Sequence, residues 1–434
     1  MKAYDRSPFF YGWVIAGASF VLMVVCSGMM SGYAVFIEPM ARNLSWSRST
    51  VVLGSSLNYM AFGASALIMG YISTKWGLKK SVFLGGALYG LGLILSSFVH
   101  QSYQLYLFFG LMTGVGNGSM YGPVATIIAY WFNKRKGLAT GLVFSGSGAA
   151  TIIFPSLGRY LIASYDWRFA FLMIGLGALC LNFLAALFLK EKPADMGLRA
   201  YGDEDQAGVQ DGGNNVKAPS EASMTSPSPV VWTSTSAART RSYWSIMFTN
   251  FFCCVCHSIT LLHTVSYAVD MGISRAVAAF TLSLAGVFII TGRVGLGALS
   301  DLIGSERTLL FALASQAFAA IWLLVSHSTS TFYIWALFFG LGFGGTFSQY
   351  PVLTRNYFGL GPLAAIFGSQ MGVSTVAMAI GGFFGGFFYD FTGSYNAAFI
   401  FSFLSGLASL VVAWGLKAPE APPLVLKSQV QMAE

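Results

Sequence analysis

Arg293 stands inside an apolar run, Leu282-Ser-Leu-Ala-Gly-Val-Phe-Ile-Ile-Thr-Gly-Arg293-Val-Gly-Leu-Gly-Ala-Leu-Ser-Asp301. A cation at membrane depth costs roughly 3 kcal/mol on insertion scales, so it calls for a partner. None of the chain's 16 acidic residues falls in the middle of an apolar run. Asp301 lies about 12 Å farther along a helix at 1.5 Å per residue, too far for pairing within it. The planar guanidinium fork suits bidentate capture of a carboxylate, so the expected partner is an anionic ligand. The competing reading is an arginine bonded to main-chain carbonyls across a helix interface.

Proton chemistry has few candidates. His257 and His263 both lie in the run 243–269. Cys256, Thr260, His263 and Tyr267 share one helical face, and a polar face in a membrane helix turns toward a cavity or a neighbouring helix. Imidazole is the side chain suited to carry a proton near neutral pH, and His263, in the outer part of its run, is the preferred carrier. Its alternatives are a plain bond to a neighbouring helix, or a proton that rides on the ligand acid. Thr113, Asn117 and Tyr121 recur at i+4 and offer donors for a carboxylate or hydroxyl, unless they serve helix packing. Tyr350, Tyr33 and Gln370 are candidates of the same kind. No nucleophile–base pair appears at membrane depth, so an enzyme is not expected. The Cys253-Cys254-x-Cys256 cluster lacks a second ligand pair, so its thiols read as buried and structural, with no metal or other cofactor.

The elements that must position these residues are membrane helices. The 434 residues are 55% hydrophobic and 9% charged, with mean hydropathy +0.66, against about 25% charged in soluble domains. The 50 glycines suit helices that approach closely in lipid. Twelve runs are long enough to cross a bilayer, near 11–37, 50–73, 81–98, 103–131, 137–163, 168–190, 243–269, 274–299, 307–326, 331–357, 362–389 and 396–416. The expected fold is all-α, with twelve transmembrane helices in two pseudo-symmetric six-helix bundles. The first bundle covers 1–190 and the second 242–417. Between them, 191–241 reads as a flexible cytoplasmic linker, and 418–434 as a cytoplasmic tail. No cleavable leader is expected.

Lys and Arg set the orientation. With the N-terminus inside, inner segments hold eighteen of them, and outer segments hold only Arg42, Arg48, Arg159, Arg168 and Arg275. Both termini are thus expected in the cytoplasm. The halves repeat: Gly70-Tyr-Ile-Ser-Thr-Lys-Trp-Gly77 matches Gly297-Ala-Leu-Ser-Asp-Leu-Ile-Gly304, and Tyr121-Gly-Pro matches Tyr350-Pro. In this register Ala66 is the mate of Arg293, so the fold does not need a cation there. Tyr121 and Tyr350 are expected to converge on one central cavity.

The segment Gly70 to Lys80 resembles the best-known loop motif of the major facilitator superfamily, with Thr74 where that family usually has an aspartate; the second copy keeps the acid as Asp301. Tyr130-Trp-Phe-Asn-Lys-Arg-Lys-Gly-Leu-Ala-Thr-Gly-Leu-Val-Phe-Ser-Gly-Ser-Gly148 is similar to the signature of the monocarboxylate transporters and the related oxalate–formate exchangers, and Tyr11-Gly-Trp13 is a shorter match. The resemblance implies an alternating-access carrier for small organic anions, with Arg293 in the place of that group's arginine. It also implies gate roles for Gly70, Lys75 and Asp301. The acid that animal members carry one turn earlier is replaced by Ile289, and no lysine occurs between Lys2 and Lys75.

The expectation is therefore a plasma-membrane, monomeric carrier that imports a monocarboxylate with a proton. Arg293, Asn117, Tyr121, Tyr350 and Tyr33 would contact the substrate. Three alternatives stand: an anion exchanger of the oxalate–formate sort, a carrier of a larger amphipathic compound, and an anion sensor that moves nothing. The basic loop Asn133–Lys136 would meet anionic lipid heads, serve the inner gate or only set topology. Nothing in the sequence supports nucleic-acid binding.

Overall fold

A computed structural model describes residues 10–203 and 232–420. The described parts are helical, and a lone bridge between Phe132 and Tyr201 is their only β pairing. The first half contains α1 (Gly12–Gly32), α2 (Ala34–Leu44), α3 (Arg48–Trp76), α4 (Leu78–Ser96), α5 (Ser102–Leu105), α6 (Gly114–Trp131), α7 (Lys136–Ser164) and α8 (Trp167–Phe188). After a short α9 (Ser234–Ala238) the second half contains α10 (Arg241–Asp270), α11 (Arg275–Ile303), α12 (Ser305–Trp322), α13 (Thr329–Phe358), α14 (Leu363–Thr392) and α15 (Asn396–Trp414). Large apolar side chains such as Met60, Phe98 and Val411 stay exposed around the outside, as a lipid-facing surface requires.

Among the described residues, 11 helices are long and apolar enough to cross a membrane. The missing span is the fourth, and its physics is local. The helical run is continuous from 102 to 131, but Tyr106–Thr113 is a π-helical segment that joins α5 to α6. Asn58 donates to the Phe109 carbonyl at 2.7 Å and to the Thr113 hydroxyl at 2.5 Å, so the loosened main chain is satisfied from α3. The α6 part is poor in apolar side chains because its glycines admit neighbours. A Cβ on Gly116 would lie 2.5 Å from the Tyr89 nitrogen, and one on Gly118 2.3 Å from the Phe62 carbonyl. The Gly-x-Gly spacing is thus a packing device.

Two expectations are revised. The first span does not end at 37; after a turn at Tyr33 it continues as α2 to Leu44. The linker is not loose from residue 191. The Tyr201 main chain pairs with Trp131, Asn133 and Lys134, and its ring meets Phe10, Trp13 and Phe132. At the other end Trp232 packs edge-on against Phe358. Aromatic anchors hold both ends of the linker to the bundles. Residues 204–231, and the tail from 421, lie outside the described residues, as do Lys2 and Arg6 of the charge count.

The two halves meet along two seams, and the repeat is visible in both. At one seam, a Cβ on Gly70 would lie 2.6 Å from the Ala364 carbonyl, and one on Gly368 2.1 Å from the Ala66 carbonyl. At the other, a Cβ on Gly297 would lie 2.5 Å from the Gly137 carbonyl, and one on Gly141 2.0 Å from the Arg293 carbonyl. Ala66 and Arg293 therefore occupy matching main-chain positions. The fold uses the backbone at both and the guanidinium at only one.

Candidate functional site

Glycine contacts fix where Arg293 sits. Gly141 on α7 brings one helix against its carbonyl. Gly344 on α13, where a Cβ would lie 2.9 Å from the Arg293 nitrogen, brings another. Held between these helices, the side chain crosses the seam and is only 4% exposed. Its Nη1 donates to the Phe144 carbonyl and to the Ser147 hydroxyl, both on α7 of the first half. The guanidinium carbon lies 4.8 Å from the ring centre of Phe347 and 6.0 Å from that of Phe343, a cation–π arrangement. Nε is buried with no hydrogen-bond partner. The arginine is thus bonded across the interface and yet keeps an unused donor. Both readings of it have a footing in the geometry.

Tyr121 stands beside this centre. Its ring packs against Phe62, Phe144 and Phe347, and its hydroxyl is 2.9 Å from that of Ser27. Electrostatic interaction with Arg293 marks their proximity. Asn117, one turn away on α6, donates to the Met30 sulfur at 2.9 Å and leaves its carbonyl oxygen buried and unpaired. Tyr121 thus belongs to the arginine's neighbourhood, and Asn117 stands one turn before it on α6.

The other predicted residues are placed elsewhere. Tyr350 is buried within the second half, its hydroxyl near the Cys253 thiol and without a hydrogen bond of good geometry. Tyr33 stacks on Phe109 at 4.2 Å and donates to the Val51 carbonyl at 2.9 Å, so its hydroxyl ties α3 to the α1–α2 turn. Gln370 donates to Thr354 at 2.9 Å, and its carbonyl oxygen is unpaired. His263 lies against α14, with Nε2 3.2 Å from the Gly382 carbonyl, and shares no contact with Arg293. His257, the histidine passed over, is the nearer one. Its ring meets Phe343 at 4.6 Å, and neither of its nitrogens makes a hydrogen bond of good geometry. The five cysteines are free, and no metal-holding group of His, Cys, Asp and Glu occurs among the described residues.

The basic end of the molecule carries a lock. The Asp301 carboxylate accepts the main-chain N–H of Gly137 at 2.8 Å and of Leu138 at 2.9 Å. It caps the N-terminus of α7 from the opposite half, where a negative charge meets the positive end of the helix dipole. Arg355 donates to the Phe132 carbonyl and to Asn133, closing the C-terminal end of α6, and Lys136 donates to Asn356. Arg355 went unrecognised in the sequence; its place in the last turn of an apolar run, opposite a basic loop, was the available signal. The first-half copy of the motif differs. Thr74 bonds back to the Tyr71 carbonyl of its own helix at 2.7 Å, and Gly70 supplies close packing. Lys75 is exposed and has no ion pair or hydrogen bond among the described residues. Between Asp301 and Ser147 the halves are polar partners. Beyond Ser147, toward the opposite end, no hydrogen bond joins them among the described residues.

This architecture has known relatives. A sequence model of the Major Facilitator Superfamily matches residues 19–377 and 296–432. Monocarboxylate transporter 12 of Rattus norvegicus is 28% identical over 449 aligned positions, which cover 97% of this chain and 90% of that one. Monocarboxylate transporter 13 of the same organism is 28% identical over 90% of this chain and 85% of its own length. Among solved structures, the proton:xylose symporter XylE bound to 6-bromo-6-deoxy-D-glucose superposes with a TM-score of 0.71 at 13% identity, covering 95% of this chain and 98% of that one. FucP in the outward conformation gives 0.69 at 15% identity, covering 94% and 100%. The chain belongs to the major facilitator superfamily: it is a multi-pass membrane protein and a secondary transporter, not an enzyme, and it resembles the monocarboxylate transporters.

Proposed function

We propose that this transporter carries a small monocarboxylate together with a proton, by alternating access, across the plasma membrane, with both termini and the basic end in the cytoplasm, and that it works as a monomer. The observation that carries this reading is the half-used guanidinium at the seam. A carboxylate arriving from the end without polar links meets a buried Nε with no partner, on a fork suited to two parallel bonds. Tyr121 gives the rest of a small acid a hydroxyl beside the arginine, and Asn117, one turn away on α6, offers an unpaired carbonyl oxygen.

The same contacts couple binding to motion. Among the described residues Arg293 is the outermost polar link between the halves, through Phe144 and Ser147. A bound carboxylate competes with these acceptors for the guanidinium and neutralises its charge. That loosens the seam at the point where the halves must separate or rock. The lock of Asp301, Arg355 and Lys136 holds the basic end closed meanwhile. Gly70 contributes to that closure by packing, while the exposed Lys75 makes no bond in it among the described residues.

Relatives bearing the name monocarboxylate transporter support this substrate class. Anion exchange is the second reading, favoured by Ile289 standing where the related animal carriers have an acid. The test is uptake by purified protein in proteoliposomes. Arg293→Ala is expected to abolish anion uptake at unchanged protein level; normal uptake by that variant would sink the proposal. Uptake that demands a counter-anion and ignores a pH gradient would select exchange.

A further inference from the structure

His257 is a buried titratable group to which the scheme above gives no task. It is 4% exposed, and neither ring nitrogen makes a hydrogen bond of good geometry, its polar neighbours being the Cys253 main chain and the Gln316 side chain. A neutral imidazole offers one donor and one acceptor, and leaving both without a well-formed bond inside a membrane protein is costly, so such a ring calls for an explanation. The other histidines are accounted for. His263 faces the Gly382 carbonyl, His100 lies near Arg168, and His327 is exposed beside Met271.

Its position relative to the arginine is specific. The ring packs edge-on to Phe343, with centroids 4.6 Å apart at 63°. Phe343 is also one of the two rings beside the Arg293 guanidinium. One phenyl group therefore touches both the imidazole and the guanidinium. The remaining ionisable groups around His257 ordinarily titrate above pH 7. They are the thiols of Cys253, Cys254 and Cys256 on its own helix α10, and the Tyr350 hydroxyl on α13. Gln316 on α12 and Ser402 on α15 are polar but do not titrate. No carboxylate faces this cluster among the described residues. The fixed charge that shares the neighbour Phe343 with the ring is the positive charge of Arg293. Thr260 and Thr264, each 1% exposed, continue the polar face of α10 toward the opposite end.

We propose that His257, not His263, carries the coupling proton, and that the charge at Arg293 makes its protonation depend on the bound anion. This rests on the carrier function proposed above. With the site empty, the guanidinium, packed on the same phenyl ring, disfavours a second cation there. With a carboxylate on Arg293, that repulsion is cancelled and the imidazolium is favoured. The step balances simply: a proton from water on the open side joins a ring-nitrogen lone pair, and it leaves to water on the far side after the halves rock. Arg293 stays charged throughout, and one anion and one proton cross together.

Two measurements test this. In the first, wild type, His257→Gln and His263→Gln are reconstituted, and acetate, lactate, pyruvate and benzoate are tried in turn as labelled probes. His257→Gln is expected to lose at least tenfold of its pH-gradient-driven accumulation while anion counterflow without a gradient stays within twofold of wild type. His263→Gln is expected to accumulate as wild type does. Accumulation by His257→Gln within twofold of wild type overturns the assignment. The second needs no variant to fold: calorimetry of anion binding to the wild type in two buffers of different ionisation enthalpy at pH 7. Near one proton taken up per anion is expected, and none overturns the proposal. A wild type that binds and moves none of the probes refutes the carrier reading itself, and this one with it.

Discussion

Replacing Arg293 by methionine separates an anion receptor from a structural strut. In the empty protein the guanidinium gains two charge-assisted hydrogen bonds, to Phe144 and Ser147, at about 1.5–3 kcal/mol each. A cation–π contact with Phe347 adds about 0.5–2 kcal/mol. Against this stand the desolvation of a buried cation, on the order of several kcal/mol, and an unpaired Nε, about 1–3 kcal/mol. The terms nearly cancel. A methionine of similar length fills the space without either. Arg293→Met is therefore expected to leave the unliganded protein within about 2 kcal/mol of wild type. What it must lose is ligand stabilisation, which at an anion concentration of 100 times Kd amounts to about 2.7 kcal/mol. Thermal unfolding in detergent, with and without monocarboxylate, reads both quantities. A variant that is badly destabilised yet keeps the full anion-induced shift would show that the arginine is a strut and refute the reasoning.

Arg293→Lys keeps the charge but loses the fork, and is expected to weaken anion binding by about one charge-assisted bond, roughly 1.5–3 kcal/mol or tenfold and more in Kd by calorimetry. Asp301→Asn removes the charge that caps α7 across the halves; cross-linking between cysteines placed at 136 and 356 should fall, and unchanged cross-linking would count against the lock. Gly141→Ala puts a Cβ 2.0 Å from the Arg293 carbonyl, so transport should stop although the protein still purifies as a monodisperse species. Tyr33→Phe and Tyr121→Phe should part company: the first is expected to cost about 1 kcal/mol of stability through the lost bond to Val51 and to leave affinity alone, while the second weakens anion binding in the same titration.

Much of the fold was legible in the chain because membrane helices answer to length and hydropathy. The exceptions have local causes. The fourth span is masked by glycines that receive neighbouring backbones, and by a π segment that Asn58 sustains. The linker ends are held by two aromatic residues in an otherwise polar stretch, a signal too sparse to outweigh composition. The repeat register that pairs Ala66 with Arg293 extends to the seams, where the two match at the main chain. It did not carry over to side chains: Tyr121 faces the seam with Ser27 and Phe144, whereas Tyr350 faces Cys253 inside its own half.

The histidines show the same limit. A period of 3.6 tells which residues share a face of α10, but not which neighbour that face meets. Gly385 decides it: a Cβ there would lie 2.3 Å from the His263 ring, so α14 receives His263 and leaves His257 to Phe343. For Arg293 the sequence by itself determined that a cation lies in an apolar span, without an acid of its own and without a counterpart in the repeat. Only the tertiary structure decided that its fork crosses to the other half, spends Nη1 on Phe144 and Ser147, and keeps Nε unspent. A charge is a property of one residue, while its partners are set by which helices glycine allows to touch.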